Sequence, residues 1–155
     1  MTDGFIGLKF ANDLITLLNG KWKASGGAKP LFQTQWNMKN VGLGSRNYNQ
    51  VIISIDAENP QIYSMMQGDA TDATKFTYDW LHDVSISIDV RTSESESRVL
   101  QLVNEIMRIL KTNVVPTINN RTYIQMLPEG ITSLNEEYRN LYRYLISVSA
   151  IKLNP

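Results

Sequence analysis

The stretch Asp83-Val84-Ser85-Ile86-Ser87-Ile88-Asp89-Val90-Arg91-Thr92 decides the fold class. Val84, Ile86, Ile88 and Val90 alternate with Ser85, Ser87, Asp89 and Arg91, and a period of two puts the first set on one face of a strand and the second on the other. Such a strand belongs to a sheet with one buried and one wet face. Directly after it, Ser93-Glu94-Ser95-Glu96 reads as a capping box, with Ser93 as N-cap and Glu96 as its partner three residues on. The period then changes. Val99, Val103, Ile106 and Leu110 fall on one helical stripe, widened by Leu102, Met107 and Ile109, until Lys111 meets the helix dipole and Pro116 forbids continuation. A half-wet strand followed by an amphipathic helix predicts an α+β fold.

Upstream, Phe10, Leu14, Leu17 and Leu18 recur at helical spacing between Leu8 and Trp22, with Gly20 near the end, which predicts a first helix over 8–22. From Ala24 to Gln50 periodicity is lost, and Gly26-Gly27, Lys29-Pro30 and Gly42-Leu43-Gly44 act as breakers, so an extended loop over 24–50 is expected. Loops of that length are usually functional, and Leu31, Phe32, Trp36 and Val41 imply that part of this one docks on something. Val51-Ile52-Ile53-Ser54-Ile55 is a β-branched run ending at Asp56. Asn59-Pro60 reads as a turn before a second strand over Ile62 to Met66, and Gly68 to Ala73 as an exposed loop.

Downstream, Tyr123-Ile124-Gln125-Met126-Leu127 reads as a strand closed by Pro128-Glu129-Gly130. The last segment, 138–153, fits two templates. With period two, Tyr142, Tyr144, Ile146, Val148 and Ala150 share a face; with helical period, Leu134, Tyr138, Leu141, Leu145 and Val148 form a stripe. The β-branched and aromatic content from Tyr144 to Ile151 favours the strand. A length of 155 residues is enough for one core and leaves little room for two, so a single domain over 1–155 is expected, its sheet and second helix lying in 51–153.

Charge narrows the function. Fifteen Lys and Arg balance fifteen Asp and Glu, and a protein that holds nucleic acid by its phosphates needs a clear basic excess. The balance is a cancellation. Residues 1–50 hold six basic and two acidic side chains, 51–90 one and seven, and 91–155 eight and six. Neutrality also removes the self-repulsion that keeps copies apart, so self-association is permitted. There is no cysteine, hence no disulfide, thiolate metal site or Cys nucleophile. No stretch has the length and apolarity of a membrane-spanning helix, and the first residues do not resemble a signal peptide, so the protein is expected to stay where it is made. Asn120-Arg121-Thr122 matches the glycosylation pattern by chance in a chain without an export signal.

Candidate catalytic chemistry is thin. His82 is the single histidine; Asp83, its neighbour in an extended chain, points the other way, and no Gly-x-Ser-x-Gly elbow accompanies it, so a structural role at a strand edge is expected. One histidine without cysteine cannot build ordinary structural zinc. Asp69, Asp72 and Asp79 lack calcium-loop spacing and read as a solvated acidic turn. Gly42-Leu43-Gly44-Ser45-Arg46 lacks the third glycine of a dinucleotide fingerprint, and no phosphate-binding loop motif occurs. No enzyme activity, cofactor or metal is expected. Between Asp13 and Asp56 lie Lys21, Lys23, Lys29, Lys39 and Arg46 with Trp22, Phe32, Trp36 and Tyr48 and no acid. That density is low for gripping a nucleic-acid strand. It suits a basic surface meeting the acidic region 51–90 of a neighbouring copy, with Lys29, Trp36, Lys39, Arg46, Asp69 and Asp72 as candidate contacts between subunits or with a partner.

The order of elements, and above all Trp80 to Thr92, the helix to Leu110 and the closing Tyr142-Arg143-Tyr144-Leu145-Ile146-Ser147-Val148, resembles the tail terminator (tail completion) proteins of tailed bacteriophages. The resemblance covers about half the chain and is one of pattern, since that family has no signature motif. It implies two helices packed on a mostly antiparallel sheet and a virion structural protein forming a ring, typically a hexamer. Such a ring caps the tail tube, stops its polymerisation and offers the surface joined by the head connector. The implied partners are further copies, the tail tube protein and the head-tail connector protein, with DNA passing the lumen without tight binding and no membrane contact. The implied place is the tail or neck of a virion assembled in the host cytoplasm. The nearest alternative is a connector stopper or adaptor of the neck; a small hydrolase-like enzyme and a small host-derived interaction domain are more remote. No catalytic residues carry over, and ring contacts do not align by motif.

Overall fold

Val84, Ile86, Ile88 and Val90 are buried, and Ser85 and Ser87 on the opposite face are not, so the period of two in the sequence is the two-sidedness of a real strand. The computed structural model describes residues 7–35, 49–67, 76–135 and 141–153. The chain runs helix α1 (Gly7–Lys21), a 3-10 turn (Ala24–Gly26), β1 (Leu31–Thr34), β2 (Asn49–Gln67), β3 (Phe76–Thr92), α2 (Glu96–Thr112), β4 (Thr117–Ile118), β5 (Arg121–Thr122), β6 (Gln125–Ser133) and β7 (Tyr142–Leu153). One five-stranded sheet has the order β1-β2-β3-β7-β6, and β4 and β5 form a separate small hairpin. Only the β1·β2 pairing is parallel; β2·β3, β3·β7 and β6·β7 are antiparallel. The α+β expectation, with a mostly antiparallel sheet and two helices, holds.

Both helices lie on one face of the sheet. Phe10, Ala11, Leu14 and Leu18 of α1 and Val99, Leu102, Val103, Ile106, Ile109 and Leu110 of α2 are buried with Val51, Ile53, Ile86, Ile88, Ile146 and Val148 in one apolar core. Phe10 meets Tyr123 edge-on, ring centroids 4.9 Å apart. The other face is mixed: the row Ser54–Ser87–Ser147–Gly130 crosses it from β2 to β6, beside the row Ile52–Asp89–Leu145.

The final segment is a strand, as its β-branched content favours; 138–140 lie outside the described residues. Four expectations are corrected. The N-cap of α2 is Ser95, whose side chain accepts from the Arg98 backbone N–H, because β3 continues to Thr92 and a bend at Ser93 and Glu94 precedes the helix. Asn59-Pro60 is no turn: β2 runs unbroken from Asn49 to Gln67, with irregular register at Ile55/Ala57 and Ile62/Ser64. Among the described residues β1 pairs with β2 only as far as Ile53, leaving β2 one partner at Pro60, where proline is tolerated. Pro128-Glu129-Gly130 does not close a strand but forms a register shift within β6, an edge strand that continues to Ser133. The span 24–50 is not wholly loop, since a 3-10 turn and β1 occupy part of it; 36–48 and the expected loop at 68–73 lie outside the described residues.

Candidate functional site

Four clusters of ionisable side chains are built into the fold, and in each the carboxylate is held by a partner; His82 Nε2, in the fourth, is buried without a hydrogen bond. On α1, Asp13 is fully buried and accepts from Arg121 Nε (2.8 Å) and Nη2 (2.5 Å), Asn119 Nδ2 (2.8 Å) and the Tyr123 hydroxyl. Asn119 and Asn120 both have positive φ, 52° and 63°, the conformation of a two-residue hairpin turn between β4 and β5, so the tight turn presents Asn119 and Arg121 to α1. Burial, and then the bond to Asp13, hold the Tyr123 hydroxyl far above its ordinary pKa. It stays a neutral donor.

On α2, Glu105 accepts from Arg108 Nε (3.1 Å) and Nη2 (2.5 Å), the Lys23 backbone N–H (2.9 Å) and Ser25 Oγ (2.8 Å). The Arg108 guanidinium lowers the Glu105 carboxyl from its ordinary 4.5 to about 2, against the burial that opposes ionisation. Arg98 donates to the Gly26 and Ala28 carbonyls at 2.7 and 2.6 Å, and Trp22 Nε1 to the Gly27 carbonyl at 2.9 Å. The connection from α1 to β1 is thereby fastened along α2.

On the helix-free face, Asp89 accepts from Arg143 Nη2 at 2.8 Å and Arg91 Nη2 at 2.6 Å. Burial alone would raise its pKa; the hydrogen bonds from Arg143 and Arg91 overcome this and hold it below the ordinary range. His82 is buried, with Nδ1 3.0 Å from Glu58 Oε1. It lies within β3, between Pro60 of β2 and Lys152 of β7, and not at a strand edge as expected, while Asp83 turns toward Ser149 instead. In three of the clusters the carboxylate is held by arginine, and in the fourth by His82. That is the chemistry of locking elements together. Among the described residues no group of three or more His, Asp or Glu is placed to hold a metal ion, and no helix is long and apolar enough to cross a membrane.

Two outward features remain. Among the described residues, β3 has no β7 partner before Leu81 and β2 has no β1 beside it there, so Gln61–Gln67 and Phe76–Trp80 continue as a two-stranded arm past the sheet. Ile62 on that arm is 56 % exposed. The second feature is an open groove of about 390 Å³ between α2 and β6, lined by Leu100, Val103, Asn104, Met107, Lys111 and Ile131, with Leu100 and Ile131 each 46 % exposed.

Of the candidate contacts read from sequence, Lys29 is exposed in the connection leading to β1, near Lys21 and Lys23, which are also exposed. Trp36, Lys39, Arg46, Asp69 and Asp72 lie outside the described residues. The acidic block 51–90 is partly consumed internally, Asp89 by two arginines and Glu58 by His82. The α2 groove was missed, although its signal is in the sequence: Leu100 and Met107 widen the apolar stripe of α2 beyond what the core face needs.

No protein-family model matches the sequence, and no curated protein sequence matches it. The fold is similar to that of a chain in the virion of a native gene transfer agent (GTA) particle, with a TM-score of 0.56 and 12 % identity, covering 99 % of this chain and 100 % of that one.

Proposed function

We propose that this chain is a virion structural protein without catalytic activity, a subunit of the ring that caps a phage-type tail tube. The single observation that carries this reading is the similarity of fold, over essentially the whole of both chains, to a component of a virion. The rigid internal clusters, with each buried carboxylate already committed, suit a building block better than a reacting site. In this reading the copies close into a six-membered ring at the tail or neck, assembled in the host cytoplasm. The ring stops tube growth, receives the head connector and lets DNA through a lumen that does not grip it. The chain acts as one domain. Lys29, Trp36, Lys39 and Arg46 contribute to a basic surface that meets Asp69 and Asp72 of the adjacent copy or of a tail partner, head to tail.

Electron microscopy of the purified protein, with light scattering at low salt and high concentration, tests the reading. A closed ring with a pore of DNA width is the expected result. A compact monomer under those conditions overturns it.

A further inference from the structure

We propose that the β2–β3 arm of one copy docks in the α2–β6 groove of the next, so that this heterologous contact closes the ring. The inference rests on the reading that the chain assembles with itself, and it names the surfaces involved. Two complementary features of the same molecule carry it. A two-stranded ribbon is marginal in water unless it packs on something, and this one leaves the sheet with Ile62 exposed and no third strand on either side among the described residues. The groove offers what the arm lacks. Leu100, Val103, Met107 and Ile131 present an apolar trough, and its charged lining residue is Lys111. Within Gln61–Gln67 and Phe76–Trp80 the sequence holds one charged residue, Asp79, so an acidic arm meets a groove whose lining carries a cation and no acid.

The arm cannot fill its own groove. Ile131 stands opposite Ile146, which pairs with Ile88 of β3. The arm begins seven residues before Ile88, where Leu81 makes the last pair with β7, and continues from there away from that level. At about 3.3 Å per residue, Ile62 and Trp80, which face each other on the arm, lie roughly 25 Å along β3 from the groove. A patch that fits a different patch on an identical neighbour makes a head-to-tail contact. Such contacts form rings when the rotation closes and filaments when it does not.

The absence of cysteine makes the test direct, since every disulfide formed joins introduced cysteines, and each bond needs the two Cβ atoms within about 4.5 Å. Ile62→Cys protein, lengthened by a tag so that mixed and self dimers differ in mass, is mixed with Leu100→Cys or with Ile131→Cys protein, oxidised mildly, and run on a non-reducing gel; Ile62→Cys with Ile124→Cys, exposed away from the groove, is the control. The expected result is a dimer of mixed mass in at least one groove mixture and not in the control. In parallel, Ile131→Lys and Leu100→Lys, both at exposed positions, are expected to leave the melting curve intact and abolish assembly, whereas Ile131→Val retains it. Rings that form without any groove cross-link, or that survive both lysine substitutions, overturn this proposal and leave the ring reading standing. A protein that never assembles overturns both.

Discussion

Gly26 shows how closely α2 grips the connection from α1. A Cβ built there meets Glu105 Cγ at 2.5 Å and Trp22 Cζ2 at 2.7 Å. Gly26→Ala is therefore expected to lower stability by about 1–3 kcal/mol, read as an earlier urea midpoint. Glu105 carries a signed pH dependence. Its carboxyl is depressed from 4.5 to about 2 in the folded protein, so its contribution is complete above the ordinary value and is lost as pH falls from about 4.5 toward 2. Urea midpoints measured across that range are expected to fall more steeply for the native protein than for Glu105→Gln, which has no proton to take up. Asp13→Ala leaves Arg121, Asn119 and Tyr123 without their acceptor and is expected to cost about 3 kcal/mol, toward the lower end for a broken buried pair because Arg121 keeps some contact with water. None of these partnerships was legible in the sequence. Asp13 and Arg121 are far apart along the chain and carry no spacing that links them, and Glu105 reads as an ordinary helix-surface acid.

At the scale of elements, the periodic segments were legible and their ends were not. Strand β3 and helix α2 announce themselves because a buried face forces apolar residues into register with the local geometry. Element ends depend on which neighbour supplies the next hydrogen bond. Ser93-x-x-Glu96 matches a capping box, yet β3 keeps Thr92 paired with Asn49 and Tyr142, and the cap moves to Ser95. Ser95→Ala is expected to destabilise by about 1 kcal/mol, measured by thermal or urea denaturation. Pro60 and Pro128 mislead in the same way. Each marks a turn by local rules, but each stands where its strand has a single partner among the described residues, a context set by β1 ending at Thr34 and by β6 forming the edge.

For the whole molecule, the zero net charge hides partners of two kinds. Some opposite charges meet inside the chain, as Asp89 does with Arg91 and Arg143. Lys21, Lys23 and Lys29, by contrast, lie exposed where the chain leaves α1 for β1. If charge orients copies and the apolar groove holds them, raising salt is expected to slow assembly without dissolving the finished ring, because the screening length falls from about 10 Å at 0.1 M to about 3 Å at 1 M while apolar burial is unaffected or strengthened. Time-resolved light scattering at the two salt concentrations checks this. Rings that dissolve in high salt would place the binding in the charges instead of the groove.

By itself the sequence determined the class of fold, because periods of two and of 3.6 are imposed by backbone geometry within a few residues and need no knowledge of what lies across the sheet. The lack of a basic excess, of cysteine and of recognisable catalytic motifs was equally plain in the chain. The tertiary structure decided which strands are edges, that β2 and β3 outrun the sheet as an arm, that four carboxylates are locked away, and that Leu100, Met107 and Ile131 share one groove. These are relations between residues brought together from distant parts of the chain, and no local pattern encodes them, since each depends on how the elements pack after they have formed.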